Sequence, residues 1–290
     1  MSNEVTELVK PVLSNDDFLA DVNASSRQPD EFHLWWLGQS GFLLQWNGRH
    51  LLFDPYLSDS LTKKYAATDK PHVRMTEIIV DPARLDFIDV VTSSHNHTDH
   101  LDRETLAPLM QANPNLKLVI PEANRAFVAD RLECDPAWPI GSDDGETVRV
   151  GDFEISGLAA AHEEIEFDDE GRCTHLGYIV RFGDFRIYHA GDNKGFEGMA
   201  EELLALTDGR AVDVALLPIN GRKPERRVPG NFWGREAAKF AKDIGARLAI
   251  PMHFEMFTFN TESPDEFVAT CEQLNQAYRV LKCGERFSSK

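Results

Sequence analysis

Three histidines and two aspartates occur within eight consecutive residues, directly after an apolar, β-branched run. The run covers residues 87–92 and predicts a buried strand, so the cluster lies where a strand ends and a loop begins. Open α/β sheets place their functional sites at this end of the strands, which makes the cluster a strong constraint on the fold. The cluster consists of His95, His97, Asp99, His100 and Asp102.

The residue types of this cluster suit a divalent metal ion. In an extended segment His95 and His97 present their imidazoles on one side, and Asp99 and His100 add a second pair of donors. Neutral imidazole and carboxylate groups bind ions such as zinc, manganese or iron. The alternative is a polar turn that happens to be rich in histidine, but four fixed positions and the preceding strand favour a metal site.

Further donors stand at the ends of other predicted strands. His162, Asp192 and His253 each end an apolar, strand-like run. Such a histidine is by itself more often structural, but beside the first cluster a ligand role is the better interpretation. Asp54 ends an earlier strand before Pro55, where its carboxylate caps the loop or orients a ligating imidazole from behind.

The order of predicted elements is β-meander, α/β, β-meander, α/β. It predicts two similar halves, and hence an α/β fold with a four-layer αββα sandwich in a single domain over residues 1–290. Residues 1–31 are predicted to form an N-terminal helical arm for packing or oligomer contacts, with a helix after Ser14, so a homo-oligomer is one expectation.

Hydrophobic periodicity and turn residues set the boundaries of these elements. Strands are predicted at 32–37, 42–46, 49–54, 87–92, 116–120, 147–150, 153–158, 175–182, 185–192, 212–219, 248–253 and 279–283. Helices are predicted at 103–112, 122–132, 196–206, 235–244 and 264–274. Residues 56–84 carry few such signals and predict an irregular lid over the site. The charged residues of that stretch are interpreted as solvated: Lys63, Lys64, His72 and Arg74.

Composition narrows the range of partners. The formal net charge is −18 and no basic stripe offsets it, so the chain is not expected to bind nucleic acid. No run is long enough to span a membrane and no signal peptide is recognisable, so neither a membrane partner nor secretion is expected. The four cysteines lie far apart, which argues against a zinc ribbon or a disulfide framework and favours a cytoplasmic location.

The donor series in chain order resembles the motif series of the metallo-β-lactamase superfamily. The matching residues are His95, His97, Asp99, His100, His162, Asp192 in a Gly-Asp pair, and His253. Within that superfamily the chain looks most like the L-ascorbate-6-phosphate lactonase-like branch, through stretches such as residues 34–38, 80–82, 187–192, 212–216 and 250–253. The resemblance implies the metallo-β-lactamase type of αββα sandwich.

The resemblance also implies a site with two adjacent divalent ions, zinc or manganese, with iron as a further option. His95, His97 and His162 would hold one ion, Asp99, His100 and His253 the other, and Asp192 would bridge them. The ions would share a hydroxide that attacks a carbonyl or phosphoryl centre, with Asp99 as a catalytic carboxylate. In one respect the chain departs from the lactonases, which lack histidine at the third ligand position, where this chain has His162.

Three residues beside this ligand set are predicted to contact substrate. Arg222 follows a strand end and can grip a phosphate or carboxylate with its planar guanidinium, although solvated surface charge is an almost equal alternative. His175 and His189 are the other two, and a structural role for His189 is as well supported as a substrate contact.

These observations favour a hydrolase that opens a lactone or similar ester of a small anionic, sugar-phosphate-like molecule. The alternative is a phosphodiesterase on RNA or phospholipid, because the same fold carries out both reactions. A di-iron oxidoreductase on this scaffold would typically have glutamate in place of His97 and a flavin domain, which this chain lacks. A non-catalytic scaffold protein does not explain a complete ligand set.

Overall fold

Two β-sheets lie face to face at the centre of the molecule, and the computed structural model describes residues 7–25 and 30–290. The first sheet has the strand order β13-β1-β2-β3-β4-β5-β6. Its strands are β1 (Phe32–Gly38), β2 (Gly41–Trp46), β3 (Arg49–Phe53), β4 (Val90–Thr92), β5 (Lys117–Pro121), β6 (Ile140–Ser142) and β13 (Arg286–Ser288).

The second sheet has the strand order β12-β11-β10-β9-β8-β7. Its strands are β7 (Thr147–Val150), β8 (Phe153–Ala159), β9 (Leu176–Phe182), β10 (Phe185–His189), β11 (Val214–Pro218) and β12 (Leu248–Met252). The sheets meet through aromatic side chains. The Phe32 and Phe182 rings lie 5.6 Å apart edge to face, and Phe53 stacks on His189 at 5.0 Å.

Helices complete the αββα sandwich that the element order predicted. They are α1 (Asn15–Ser25), α2 (Ser60–Tyr65), α3 (Arg103–Ala112), α4 (Arg125–Leu132), α5 (Met199–Leu206), α6 (Gly234–Asp243) and α7 (Asp265–Leu274). Every residue of β1 is buried, because this strand is covered on both faces. Within the described residues, no helix is long and apolar enough to cross a bilayer.

The strand directions bring several loops to one edge of the molecule. β3, β4, β5 and β6 run parallel, as do β10, β11 and β12. The carboxyl ends of these strands therefore lie at one edge of the sandwich, the common rim. The loops after β4, β8, β10 and β12 carry the predicted metal donors, and the loop after β3 carries Asp54. β2 and β3 are joined by a tight hairpin turn, in which Asn47 and Gly48 both have the positive φ that such a turn requires.

The structure corrects three sequence predictions and adds one strand. The predicted strand at 279–283 is wrong, because this segment crosses between sheets: Tyr278 bridges Ala249 in the second sheet, whereas β13 pairs with β1 in the first. The predicted lid contains a helix, α2, and the predicted helix at 122–132 opens with a 3-10 turn at 122–124. The short strand β6 was not predicted.

The N-terminal prediction can be followed only in part, because residues 1–6 and 26–29 lie outside the described residues. A helix after Ser14 is present as α1. It packs on the first sheet, where Phe18 lies edge to face on Trp35, and the indole nitrogen of Trp35 donates to Asp21 at 2.8 Å.

Candidate metal centre

The predicted donors converge at the common rim in two groups. In each group one donor atom per residue lies within 4.8 Å of the others. The first group is His95, His97, His162 and Asp192, and the second is Asp99, His100 and His253. Apart from His97, which is exposed, and Asp99, which is partly exposed, these side chains are buried.

Asp192 lies between the two groups. Its Oδ2 is 3.3 Å from Nε2 of His162, and its Oδ1 is 3.3 Å from Nε2 of His253 and 3.4 Å from Nε2 of His100. The turn that carries it depends on Gly191, which has a φ of 59°. A Cβ on Gly191 would lie 2.6 Å from Cβ of Ser94, so only glycine lets the loops of the two sheets approach this closely.

Hydrogen bonds from behind fix the rings of two histidines. Nδ1 of His100 donates to Oδ2 of Asp54 at 2.7 Å, and Nδ1 of His162 donates to the Gly230 carbonyl at 2.8 Å. These acceptors assign the proton to Nδ1 and leave the Nε2 lone pair for a metal, an arrangement typical of metal-binding histidines. Asp54 therefore lies where the sequence placed it, behind an imidazole donor.

Several buried polar atoms of the centre lack a hydrogen-bond partner within residues 7–25 and 30–290. They include Nε2 of His95, Nε2 of His100 and Oδ1 of Asp192. Buried polar atoms without a partner are costly, and metal coordination within the two donor groups would satisfy them. The residues present therefore fit a divalent metal ion with nitrogen and oxygen ligands.

The charges of the centre support this conclusion. Burial alone would lower the pKa of His100, but Asp192 and Asp99 outweigh that effect and raise it well above its usual value. Burial likewise opposes ionisation of Asp192, but His253, His100 and His162 hold its pKa well below the usual value. The carboxylates are therefore charged and able to bind a cation.

Gln39 is a site residue that sequence reasoning missed. Its Nε2 donates to Oδ2 of Asp99 at 2.7 Å and lies 3.0 Å from Nε2 of His253, while the His253 amide donates to the Gln39 carbonyl at 2.9 Å. Gln39, Asp54 and His253 all have positive φ, which is a strained conformation for residues other than glycine. The available signal was position, because Gln39 follows β1, whose end lies on the same rim.

Asp102 and the predicted substrate histidines have other surroundings. Asp102 caps α3, where it accepts hydrogen bonds from Ser58 Oγ and Thr105 Oγ1, each at 2.6 Å.

His175 stacks on His95 with ring centroids 4.7 Å apart, so it lies against the donor cluster. His189 is fully buried and uses both ring nitrogens, to the Ser40 carbonyl and the Gly191 amide. Its surroundings favour the structural role that the sequence also allowed, and a substrate contact of His189 stays a prediction.

The substrate contact of Arg222 stays a prediction, and the structure gives this side chain a partner within the protein. Its two terminal nitrogens donate to the two carboxylate oxygens of Glu236 at 2.6 and 2.8 Å, and it does not line the cavity above the metal centre. Arg222 does follow a strand end on the expected rim, but Glu236 in the first turn of α6 draws its side chain away.

A cavity of about 450 Å³ opens above the metal centre. His97, Asp99, His162, Asp192 and His253 contribute to its wall, and Lys64, Arg131 and Arg227 give it three cationic side chains. The predicted lid also contributes, through Leu61, Lys64, Tyr65 and His72. Arg74 is not solvated as predicted, since it is buried beneath this segment.

Comparison with known proteins agrees with the fold. The model of the beta-lactamase superfamily domain matches residues 49–254. A UPF0173 metal-dependent hydrolase of Opitutus terrae is 31% identical over 261 residues, covering 87% of this chain and 97% of the relative.

Solved structures show the same fold at lower identity. Igni18, described as a metallo hydrolase from Ignicoccus hospitalis, has 23% identity and a TM-score of 0.63, and the match covers 89% of this chain and 98% of that one. An isothiocyanate hydrolase from Delia radicum gut bacteria has 18% identity and a TM-score of 0.66, with 88% and 98% covered.

The family match and the curated relatives, together with histidine and aspartate donors at the strand ends of an αββα sandwich, identify a metal-dependent hydrolase. The chain belongs to the metallo-β-lactamase superfamily, as the resemblance in its sequence predicted. The relationship to the ascorbate-6-phosphate lactonase-like branch stays a prediction.

Proposed function

We propose that this protein is a binuclear hydrolase that opens a lactone or similar ester bond in a small anionic molecule. The observation that carries the proposal is the position of Asp192, whose two carboxylate oxygens face different groups of donors. Asp192 would therefore be a ligand common to both ions. In two-metal sites in general the ions lie about 3.5–4 Å apart. The two donor groups follow the same division of residues as the ligand sets expected from the resemblance.

Bound divalent ions would supply Lewis-acid chemistry, making a water molecule more acidic and drawing electron density from a carbonyl oxygen. The chain's own residues supply proton transfer and positioning. Asp99 lines the cavity and is partly exposed, so its carboxylate can take a proton from attacking water and pass it to the leaving oxygen. Gln39 holds that carboxylate in place.

The volume and the charge of the cavity favour a small, anionic substrate. A volume of about 450 Å³ lies within the range for small-molecule sites, and the cationic residues of its wall suit an anionic group. Zinc and manganese are the ions proposed for the site. Phosphodiesters and, because one structural relative is an isothiocyanate hydrolase, isothiocyanates belong in the substrate panel as competing classes.

Metal analysis of single variants tests the binuclear centre. The protein as purified with zinc or manganese is expected to hold two equivalents per chain, and His253→Ala is expected to hold about one, because one donor group loses a ligand. His33→Ala is the matched control: His33 is also a buried histidine, but it bonds Ser288 at 2.8 Å and is in neither donor group. Two equivalents in His253→Ala would contradict the assignment.

Turnover of a substrate panel tests the reaction. Sugar lactones, aryl esters, phosphodiesters and an isothiocyanate are assayed with the metal-loaded protein, and a chelator is expected to abolish turnover of esters and lactones. Higher kcat/KM for a phosphodiester or an isothiocyanate than for every ester would replace the proposed reaction.

A further inference from the structure

We propose that the substrate carries an aromatic or similarly flat apolar group beside a carboxylate or phosphate, and that Arg131 and Phe127 on α4 bind this part of the molecule. The inference rests on the proposed function and adds to it a substrate class and two binding residues. Both residues line the cavity above the metal centre.

The guanidinium of Arg131 has one edge without a partner. Its Nη1 donates to the carbonyls of Asn96 at 2.7 Å and Leu101 at 3.2 Å, so the side chain is fixed. No hydrogen bond or ion pair joins its Nε or Nη2 to any other part of the described chain. These two nitrogens form a planar pair of donors that matches a carboxylate or phosphate.

The same helix shows that this edge binds a carboxylate. In Arg125, Nε donates to Oε1 of Glu122 at 2.7 Å and Nη2 donates to Oε2 at 2.6 Å. Within residues 7–25 and 30–290 no carboxylate forms an ion pair with Arg131, and Asp102 acts on it only at longer range. A half-buried guanidinium without a direct partner is unfavourable, and an anionic group of the substrate would supply that partner.

The other arginines near the rim are already paired. Arg222 binds Glu236 through both terminal nitrogens, and Arg227 binds Asp69 at 2.6 Å. Lys64 has no carboxylate partner among the described residues, but it is exposed and lies over the Tyr65 ring. Arg131 is therefore the best-ordered cation that the cavity wall offers to an anion.

Aromatic side chains beside this cation favour a flat apolar group. Phe127 is 42% exposed although it is a large apolar residue, and its ring centroid lies 4.4 Å from the Arg131 guanidinium. Tyr65, stacked on His72 at 4.1 Å, and Phe259, edge to face with His72 at 4.5 Å, line the same cavity. Aromatic rings pack best against other flat apolar surfaces.

The position of Arg131 also places the anionic group close to the reacting bond. The carbonyl that it binds belongs to Asn96, which lies between the metal donors His95 and His97. An anion bound to Arg131 would therefore lie next to the loop that carries the donors. One small molecule can then place its charged group on Arg131 and its ester bond at the donors.

Matched substrates separate charge recognition from a structural role of Arg131. Each pair consists of aryl esters or lactones that differ only in a ring carboxylate or phosphate against an uncharged carboxamide. For Arg131→Gln, kcat/KM of the charged member is expected to fall about ten- to a hundredfold, as for loss of charge-assisted hydrogen bonds, and that of the uncharged member less than threefold. Arg247→Gln is the control, because Arg247 pairs with Asp213 at 2.8 Å on the surface and does not line the cavity; less than a twofold change is expected for both members.

Equal losses for the two members would overturn the proposal, because they would show that Arg131 only holds the donor loop. If a phosphorylated sugar lactone is turned over more efficiently than every aryl substrate, the proposal that the substrate carries an aromatic group is overturned.

A binding measurement on the protein without substitutions avoids any folding defect of a variant. Calorimetric titration of the metal-free protein with benzoate or phenyl phosphate is expected to show binding, and acetate or inorganic phosphate is expected to bind at least tenfold more weakly. No difference between aromatic and simple anions would overturn the proposal. Because this protein carries neither metal nor activity, the result is independent of the proposed reaction.

Discussion

At the scale of single residues, the centre depends on groups that hold the donors as much as on the donors themselves. Asp54 binds His100, the Gly230 carbonyl binds His162, and Gln39 lies against Asp99 and His253. Such supporting hydrogen bonds fix the orientation of a metal ligand, and their loss commonly weakens metal binding.

We expect Gln39→Leu to lower metal affinity at the group formed by Asp99, His100 and His253 by about ten- to a hundredfold. Leucine has a similar volume but cannot donate to Asp99. Competition with a metal-sensitive dye measures the two affinities, and the affinity of the other group is expected to change much less. Gln45→Leu is the control, since Gln45 is a buried glutamine on β2 away from the donors. An equal loss in both variants would contradict a specific role for Gln39.

At this scale the sequence predicted which candidate donors lie together, but not the partners of the cationic side chains around them. His162, Asp192 and His253 could be predicted because each follows a strand, and strand direction fixes where such residues lie. The side chains of Arg222 and Arg131 could not, because their positions depend on partners in other elements. Glu236 binds the first, and the carbonyls of Asn96 and Leu101 bind the second.

At the scale of elements, the segment from Tyr56 to Thr76 forms part of the cavity wall and is held by its own small core. Tyr56, Leu61, Met256 and Phe257 form an apolar cluster separate from the main core. Arg74 lies beside this cluster, where it bonds Asp59 at 2.6 Å, the Ser58 carbonyl and the Thr76 carbonyl at 3.2 Å.

We expect Arg74→Met to loosen this segment without unfolding the molecule. Methionine keeps most of the apolar stem but leaves the Ser58 and Thr76 carbonyls without their donor, which costs roughly 1–3 kcal/mol each. Hydrogen exchange of amides in residues 56–76 is expected to accelerate at least tenfold, with little change in β1 or β9.

Arg103→Met is the control for this prediction. Arg103 bonds Glu133 at 2.6 Å at the surface and does not contact the segment. Unchanged exchange in Arg74→Met would show that the apolar cluster alone holds the segment.

Element boundaries were predictable wherever a periodic pattern met a clear turn signal. The helix at 103–112 was predicted with its observed bounds. In the structure Asp102 caps its first turn. The final strand was misplaced because residues 279–283 are as apolar as a strand. Their backbone instead follows the passage between sheets, with the Arg279 amide bonded to Ala249 and the Gly284 amide to Trp36.

At the scale of the whole molecule, one buried histidine makes stability depend on pH. His50 is the second residue of β3, at the end of the sheet away from the metal centre. Burial lowers its pKa to about 4, although Asp89 acts in the opposite direction. An unfolded histidine titrates near 6.5, so as pH falls from 6.5 to 4 the unfolded chain binds a proton that the folded chain does not. Stability is therefore lost as pH falls through this window.

We expect His50→Phe to remove this part of the acid sensitivity. Between pH 7.5 and pH 5 the free energy of unfolding of the unmodified protein should fall by about 2 kcal/mol more than that of the variant. Urea denaturation at the two pH values measures the difference. The metal centre contributes equally to both proteins, so the comparison isolates His50, and parallel pH dependence would contradict the assignment.

The division of donors between the sheets has a consequence for the lifetime of the fold. His95 and His97 follow the first sheet while His162 and Asp192 follow the second, and His100 is grouped with His253 in the same way. An ion bound to either group is therefore a reversible cross-link between two distant parts of the chain, comparable to a disulfide in how it restricts the unfolded state. Metal supply then governs how long the molecule survives heat and proteolysis, in addition to its rate of turnover.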